Sequence, residues 1–370
     1  MTLYIILSIV AMVAVVGFLF LKLSPEFGGS HDKTDQARYR ESGIYEEGEF
    51  QNLIETSMDM DAGGMAKTMW EFLAGGERRK PSEPLPMISR NSDEVVGYQG
   101  SARLMWYGHS AFLLQMEGKN ILLDPMFGQV AAPHPWLGSD RFNGEMPISI
   151  DSLPSIDAII ISHDHYDHLD YGSIKDLIGK TKHFYVPLGV GAHFREWGVS
   201  EAQITEFNWW DESDIDGIKI AFTPSRHFSG RGLTDRNATL WGSWVIQSSE
   251  AKLYFSGDSG YGPHFKQIGE KFGPFDFALM ECGQYNKRWE AIHMMPEQTA
   301  QAAQEVGADA MMPIHWGAFT LSLHQWDDPI KRVVPAAANL NIPIVIPQIG
   351  EFVSVIEPST DYKGWWAVLE

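Results

Sequence analysis

A single cysteine, Cys282, stands in the 370 residues. It excludes an intrachain disulfide and any thiolate-rich metal centre, so coordinating groups must be sought among His, Asp and Glu. Basic side chains are also scarce: 28 Lys and Arg against 48 Asp and Glu leave a formal net charge of -20. That deficit argues against nucleic acid as a partner, because such binding rests on Lys and Arg displacing counterions from phosphate. The same acidity repels an anionic bilayer surface. The chain has no phosphate-cradling G-x-x-x-x-G-K-[ST] loop, no internal repeat and no low-complexity tract.

What is present begins with Leu3 to Leu21, apolar apart from Ser8 and free of charge. At about 1.5 Å per residue this run covers roughly 28 Å as a helix, near the ~30 Å thickness of a hydrocarbon core. Residues 1–24 therefore read as a transmembrane anchor. A cleaved signal peptide is the rival, but a basic leading region and a small-x-small site are both missing. Lys22, Lys33, Arg38 and Arg40 follow the span and point to a cytoplasmic catalytic domain on the cell membrane, against the interspersed Glu26, Asp32 and Asp35.

Residues 25–100 are polar and rich in Gly, Glu and Pro, which reads as a linker and wrapping arm with a short helix near Met65 to Leu73. The texture changes where residues 101–370 begin, the expected catalytic domain. Short β-rich runs appear at Arg103 to Trp106, Ala111 to Met116, Asn120 to Leu123, Asp157 to Ile161, Ile218 to Phe222, Trp241 to Gln247 and Lys252 to Phe255. Helical spacing appears at Tyr171 to Ile178, Gly262 to Phe272, Pro296 to Val306 and Pro329 to Leu340. Hairpins first and strand–helix alternation later predict an α/β architecture of two sheets between outer helices.

The chemistry concentrates in SHDHYDHLD, Ser162 to Asp170, directly after the apolar run that starts at Ala158. His163, His165, Asp167 and His168 can converge there from one short loop. His227, Asp258 and His315 each follow a further apolar run, and open α/β folds gather function at the carboxyl ends of strands. A lone histidine at a strand end is ordinarily a hydrogen-bonded core or surface residue. The density of H-x-H-x-D-H overturns that reading, and placement relative to the cluster overturns it for the other three. Imidazoles and carboxylates suit zinc or a similar divalent ion, and a carboxylate can bridge two. His109 and His293 are weaker candidates for the site. Among the tryptophans, Trp241, Trp244 and Trp316 read as core, whereas Trp136 and Trp209 are candidates for a lipid-facing, substrate-binding rim. Gly257 and Gly260 flank Asp258 and read as turn residues that let its carboxylate reach the ions.

The motifs WYGHSAFLL, LLDPMF, ISHDHYDHLDY, FTPSRHFSGR, FSGDSGYGPHF, HMMPEQ and PIHWGAF, in order between Arg103 and Val355, resemble the metallo-β-lactamase superfamily. Within it they are most similar to the branch of N-acyl-phosphatidylethanolamine-hydrolysing phospholipase D and its bacterial relatives. The resemblance implies a four-layered αββα metallo-β-lactamase sandwich behind the N-terminal transmembrane helix, with two Zn2+ or other divalent ions between the sheets. By the same resemblance, His163, His165 and His227 hold one ion, Asp167, His168 and His315 the other, and Asp258 bridges them. His293, in H-x-x-P-E, falls near the substrate phosphate. The diiron oxygen-reducing branch carries glutamate where this chain has His165, which argues against redox chemistry.

Two neighbouring divalent ions generate hydroxide near neutral pH and neutralise charge on a phosphoryl oxygen. The expected activity is attack by a metal-bridged hydroxide on a membrane phospholipid, and the resemblance implies release of phosphatidic acid and an N-acylethanolamine, with Asp258 and His293 as catalytic residues. A binuclear hydrolase of a lactone, phosphorylated sugar or soluble phosphodiester is the first alternative, since one fold serves many substrates. A non-catalytic, membrane-tethered binding protein is the second.

Overall fold

Alternation along the strand Phe112–Met116 divides its side chains between two cores, with Phe112, Leu114 and Met116 in one and Leu113 in the other. The same split recurs on Arg103–Trp106 and Lys119–Leu123, as a pleated strand buried on both faces requires. The computed structural model describes residues 2–57, 61–361 and 364–369, so residues 58–60 of the expected arm lie outside the described residues. Strands Phe352–Ser354, Arg103–Trp106, Phe112–Met116, Lys119–Leu123, Ile156–Ile160, Thr181–Pro187 and Ile204–Phe207 form a seven-stranded sheet in that order. Met311–Ile314, Phe277–Glu281, Lys252–Phe255, Ser243–Gln247, Ile218–Thr223 and Glu212–Ile215 form a six-stranded one. Each sheet is mixed. The first is antiparallel up to Lys119–Leu123 and parallel from there; the second is parallel from Lys252–Phe255 to Met311–Ile314 and antiparallel elsewhere.

The sheets face each other across the larger core, where Phe112 meets Phe255 and Phe207 meets Trp244 with ring centroids 6.5 and 4.9 Å apart. Ile174 and Leu177 of the helix Tyr171–Leu177, and Phe194 of Gly191–Glu196, cover the outer face of the first sheet. His264–Phe272, Pro296–Val306 and Asp328–Asn339 contribute Phe265, Ile268, Ala303, Val306, Ile330 and Val333 to the core of the second. Pro296 opens its helix at the first turn, where its missing N–H costs nothing, and Gly307 ends it in the left-handed conformation.

The segment after the apolar helix is tied into the body. The helix Lys33–Arg40 is capped by Asp32, whose side chain accepts from Thr34 and Asp35 N–H. Its Tyr39 is fully buried and packs on Tyr45 and Phe50. Neither this helix nor the strands Thr181–Pro187, Ile204–Phe207, Glu212–Ile215, Phe277–Glu281 and Phe352–Ser354 stood out in the sequence. Short apolar runs such as FALME do not distinguish strand from helix by periodicity, and the edge strand ESDI is mostly polar. Among the described residues one helix is long and apolar enough to cross a membrane: Tyr4–Leu23 has a mean hydropathy of 2.8 and none of it is buried.

Candidate metal centre

Strands of both sheets end at one pole of the sandwich. Asp124 follows Lys119–Leu123, His163 follows Ile156–Ile160, His227 follows Ile218–Thr223, Asp258 follows Lys252–Phe255 and His315 follows Met311–Ile314. The loop after Ile160 closes into a single helical turn, with His168 and Leu169 N–H both donating to His165 O. This turn aims His165, Asp167 and His168 inward together. Gly257 has φ +54°, and a Cβ there would stand 2.7 Å from Gly242 O and from Ser162 Cβ, so only glycine lets the Asp258 loop approach the His163 loop so closely. His109, Asp124 and His315 also have positive φ. Such backbone costs about 1–3 kcal/mol per residue and persists where surrounding structure enforces it. Here, His315 N–H donates to His109 O and His109 N–H to Trp316 O, locking the two loops to each other.

The arrangement brings His163, His165, Asp167, His168, His227, Asp258, His293 and His315 into one constellation. His165 Nδ1 lies 3.0 Å from His163 Nε2 and 3.2 Å from His227 Nε2. Outer partners determine the tautomers. Ser162 Oγ donates to Asp124 and so accepts from His163 Nδ1, while His227 Nδ1 donates to Ile292 O at 2.9 Å. Both Nε2 atoms therefore present lone pairs to the interior, and the lone Nδ1 of His165 can donate to only one of them. His168 Nδ1 donates to Asp124 at 2.7 Å, and its Nε2 is buried without a hydrogen-bond partner among the described residues. Asp258 is divided between the two groups: Oδ2 stands 3.8 Å from His163 Nε2 and 3.7 Å from His227 Nε2, and Oδ1 3.2 Å from His168 Nε2 and 3.1 Å from His315 Nδ1. Asp167 Oδ2 is 3.5 Å from His168 Nε2 and 3.9 Å from His315 Nε2. Buried lone pairs and carboxylates facing one another leave a deficit of positive charge that a divalent cation satisfies, and the all-N,O donor set suits one.

Burial holds His163, His227 and His315 well below the ordinary imidazole value and His165 at about 4, keeping these rings neutral and able to donate lone pairs. His168 moves the other way: burial works against its charge, but Asp258 and Asp167 outweigh it. Burial also lifts Asp258 to about 6, opposed by His168.

Two carboxylates with no assigned role in the sequence, and His109, a weaker candidate there, complete the centre. Asp124 is fully buried and accepts from Ser162 N–H, Ser162 Oγ and His168 Nδ1. Glu281 is fully buried, accepts from Met294 N–H and faces His293 Nδ1 at 3.2 Å; burial pushes its carboxyl well above the usual range. His109 faces Asp167 Oδ2 at 2.8 Å, a closer part in the site than its isolated sequence context suggested. The only sequence signal for Asp124 and Glu281 was a carboxylate immediately at a strand end. A cavity of ≈ 310 Å³ opens on the centre, lined by His165, Asp167, Asp258, His293 and His315 and walled by Phe228, Gln284, Trp289, Ile292 and Leu321.

Of the two expected rim tryptophans, Trp209 requires correction. It is 5% exposed and its indole N–H donates to Trp241 O at 2.7 Å, so it belongs to the core. Trp136 is 71% exposed, but beside Phe20 of the apolar helix and not on the cavity wall, where Trp289 stands instead.

Residues 119–316 match the family model described as Beta-lactamase superfamily domain. The chain belongs to the metallo-β-lactamase superfamily, whose fold of mixed sheets it shares, and with its phospholipase D and metallo-hydrolase relatives it is a metal-dependent hydrolase. It is 37% identical to an uncharacterised protein of Mycobacterium tuberculosis over 351 residues, 93% of this chain and 92% of the relative. It is 32% identical over 272 residues to N-acyl-phosphatidylethanolamine-hydrolyzing phospholipase D 1 of Caenorhabditis elegans, 69% of this chain and 76% of the relative. Among solved structures it resembles a metallo hydrolase of Ignicoccus hospitalis with a TM-score of 0.50 and 22% identity, over 69% of this chain and 98% of that one.

Proposed function

We propose that the cavity is the catalytic centre of a membrane-anchored, binuclear-metal phosphodiesterase of the phospholipase D type. His163, His165 and His227 would hold one ion, Asp167, His168 and His315 the other, and Asp258 would serve both, with Zn2+ the ion this donor set suits. The observation that carries this reading is the division of Asp258, whose two oxygens face two separate groups of ring nitrogens at 3.1 to 3.8 Å. A divalent pair held there supplies hydroxide near neutral pH and offsets charge on the phosphoryl oxygens. The chain's own residues orient and exclude. Asp124, Ser162 and the Ile292 carbonyl fix which nitrogen of each ring faces inward. A neutral Glu281 donates to His293 Nδ1, leaving a proton on Nε2 for a phosphate oxygen or the departing alkoxide.

N-acyl-phosphatidylethanolamine or a similar phospholipid is the substrate, cleaved to phosphatidic acid and an N-acylethanolamine. The naming of the worm relative supports this choice, as does an apolar cavity wall of Phe228, Trp289, Ile292 and Leu321. Residues 1–24 anchor the protein in the cell membrane with its catalytic domain, residues 101–370, on the cytoplasmic side, and residues 25–100 wrap that domain. Trp136, packed 5.8 Å from Phe20, sits at the level of the headgroups. Detergent-solubilised protein given N-acyl-phosphatidylethanolamine is expected to release phosphatidic acid, read by mass spectrometry, and to carry two equivalents of zinc. Hydrolysis of a lactone with no phosphatidic acid refutes the lipid assignment, and a folded protein that binds no divalent ion refutes the enzyme.

A further inference from the structure

The helix Ala62–Leu73 is mounted inside out. A surface helix of a water-soluble body turns its apolar side to the core and its polar side to solvent. Here Met65, Met69, Trp70 and Leu73 are 53, 67, 71 and 76% exposed. At about 100° per residue, Met65, Met69 and Leu73 share one side of the helix, with Trp70 adjoining. Thr68 and Glu71 lie on the other side, and Arg288 grips both: its Nη1 donates to Thr68 Oγ1 at 2.9 Å and to Glu71 Oε2 at 2.6 Å. Arg288 directly precedes Trp289, a wall of the cavity. The polar side is thus the attachment and the apolar side is the presented surface, beside the entrance to the metal centre.

We infer that this apolar side docks on the surface of a phospholipid bilayer and sets the cavity mouth against it, an inference that rests on the reading of the substrate as a membrane lipid. Two observations select a bilayer as the occupant. The apolar helix Tyr4–Leu23, none of it buried, is tied to the body near the same cavity, because Glu26 O, just after the helix, accepts from Arg231, three residues beyond the cavity-lining Phe228. A membrane span attached close to the Phe228 loop holds the body, and with it this helix, near the same bilayer. Second, the acidity of a protein of net charge -20 is not concentrated here: exposed Lys67 on the helix, Lys80 beyond it and Lys287 beside its Arg288 attachment stand with Asp61, Glu71, Glu77 and Glu290. That near balance spares this face the repulsion from anionic headgroups expected of the whole protein.

The buried Cys282 is the sole native thiol, so an introduced cysteine can be labelled selectively. Full-length Met69→Cys and Asp216→Cys proteins carry an environment-sensitive fluorophore and are reconstituted into vesicles of phosphatidylcholine and phosphatidylglycerol containing doxyl-labelled lipid. Asp216 lies in the turn between Glu212–Ile215 and Ile218–Thr223, at the pole opposite the site. The label at position 69 is expected to be quenched and the label at 216 not. Equal quenching at the two positions, or a blue shift at 69 that scales with protein concentration and ignores doxyl lipid, overturns docking; the latter result assigns the face to a second copy of the chain. In parallel, Met69→Gln/Leu73→Gln is expected to lower turnover of vesicle phospholipid about tenfold while sparing a water-soluble phosphodiester. Equal loss on both substrates refutes the inference. If the unaltered protein hydrolyses neither, the proposed function fails, and quenching alone decides docking.

Discussion

Replacing Asp124 by Asn removes one charge and changes one atom, and the structure states what that costs. Asp124 Oδ1 accepts Ser162 N–H at 2.7 Å, and Oδ2 accepts Ser162 Oγ at 2.5 Å and His168 Nδ1 at 2.7 Å. An amide has one acceptor end. With its NH2 toward Ser162 N–H, donor meets donor in a fully buried place; turned round, it meets His168 Nδ1. The better orientation still leaves one buried donor unmet, a cost of about 1–3 kcal/mol of stability. His168 also loses the carboxylate that fixes its tautomer and raises its basicity, a kind of loss that lowers metal affinity roughly 10–100-fold. That is about 1.4–2.8 kcal/mol. Competition with a chromophoric chelator, beside a thermal melt with and without metal, measures both. Unchanged affinity in Asp124→Asn would refute the claim that this carboxylate orients a ligand, even if the melting temperature falls.

Three further outcomes follow from the same geometry. Metal binding needs unprotonated ligands, so affinity is present above each ligand's pKa: it falls first as pH drops through the value of His168, which its carboxylate neighbours hold well above the ordinary imidazole range, then through about 6, where Asp258 takes up a proton, and near 4 with His165; calorimetry in buffers of differing ionisation enthalpy reads the released protons, and a flat affinity across that window contradicts the assignment. Trp209→Ala is expected to cost about 3–5 kcal/mol in denaturant unfolding, whereas Trp136→Ala leaves stability unchanged and lowers turnover of lipid in vesicles. Glu281→Gln preserves the melting temperature, because burial already keeps that carboxyl neutral, and Glu281→Ala lowers it by leaving Met294 N–H unpaired, at about 1–3 kcal/mol; a large loss with Gln shows that the carboxyl is charged.

Parts of the centre were legible because they are local. His163, His165, Asp167 and His168 lie within one turn, and their density needs no knowledge of the fold. His227, Asp258 and His315 were legible by a weaker rule, their position after apolar runs. Asp124 and Glu281 obey that rule too, yet their roles were not readable, since each acts through a ring remote in sequence: His168 is 44 residues from Asp124 and His293 is 12 from Glu281. Trp209 misled for a related reason. The preference of tryptophan for bilayer interfaces made it a candidate for the rim, but its indole finds a carbonyl 32 residues later and withdraws inside. The helix Ala62–Leu73 was legible as a short helix near Met65 to Leu73, and the side to which its apolar residues point was not.

Donor chemistry, alternation along the strands and the uncharged N-terminal run are properties of neighbouring residues, so the amino-acid order alone determined them. Only the tertiary structure decided which nitrogen of each imidazole faces inward, how Asp258 splits its oxygens and which aromatic rings meet solvent. The reason is physical: periodicity is set within a few residues, whereas a buried polar atom takes its partner from whichever distant segment packing delivers.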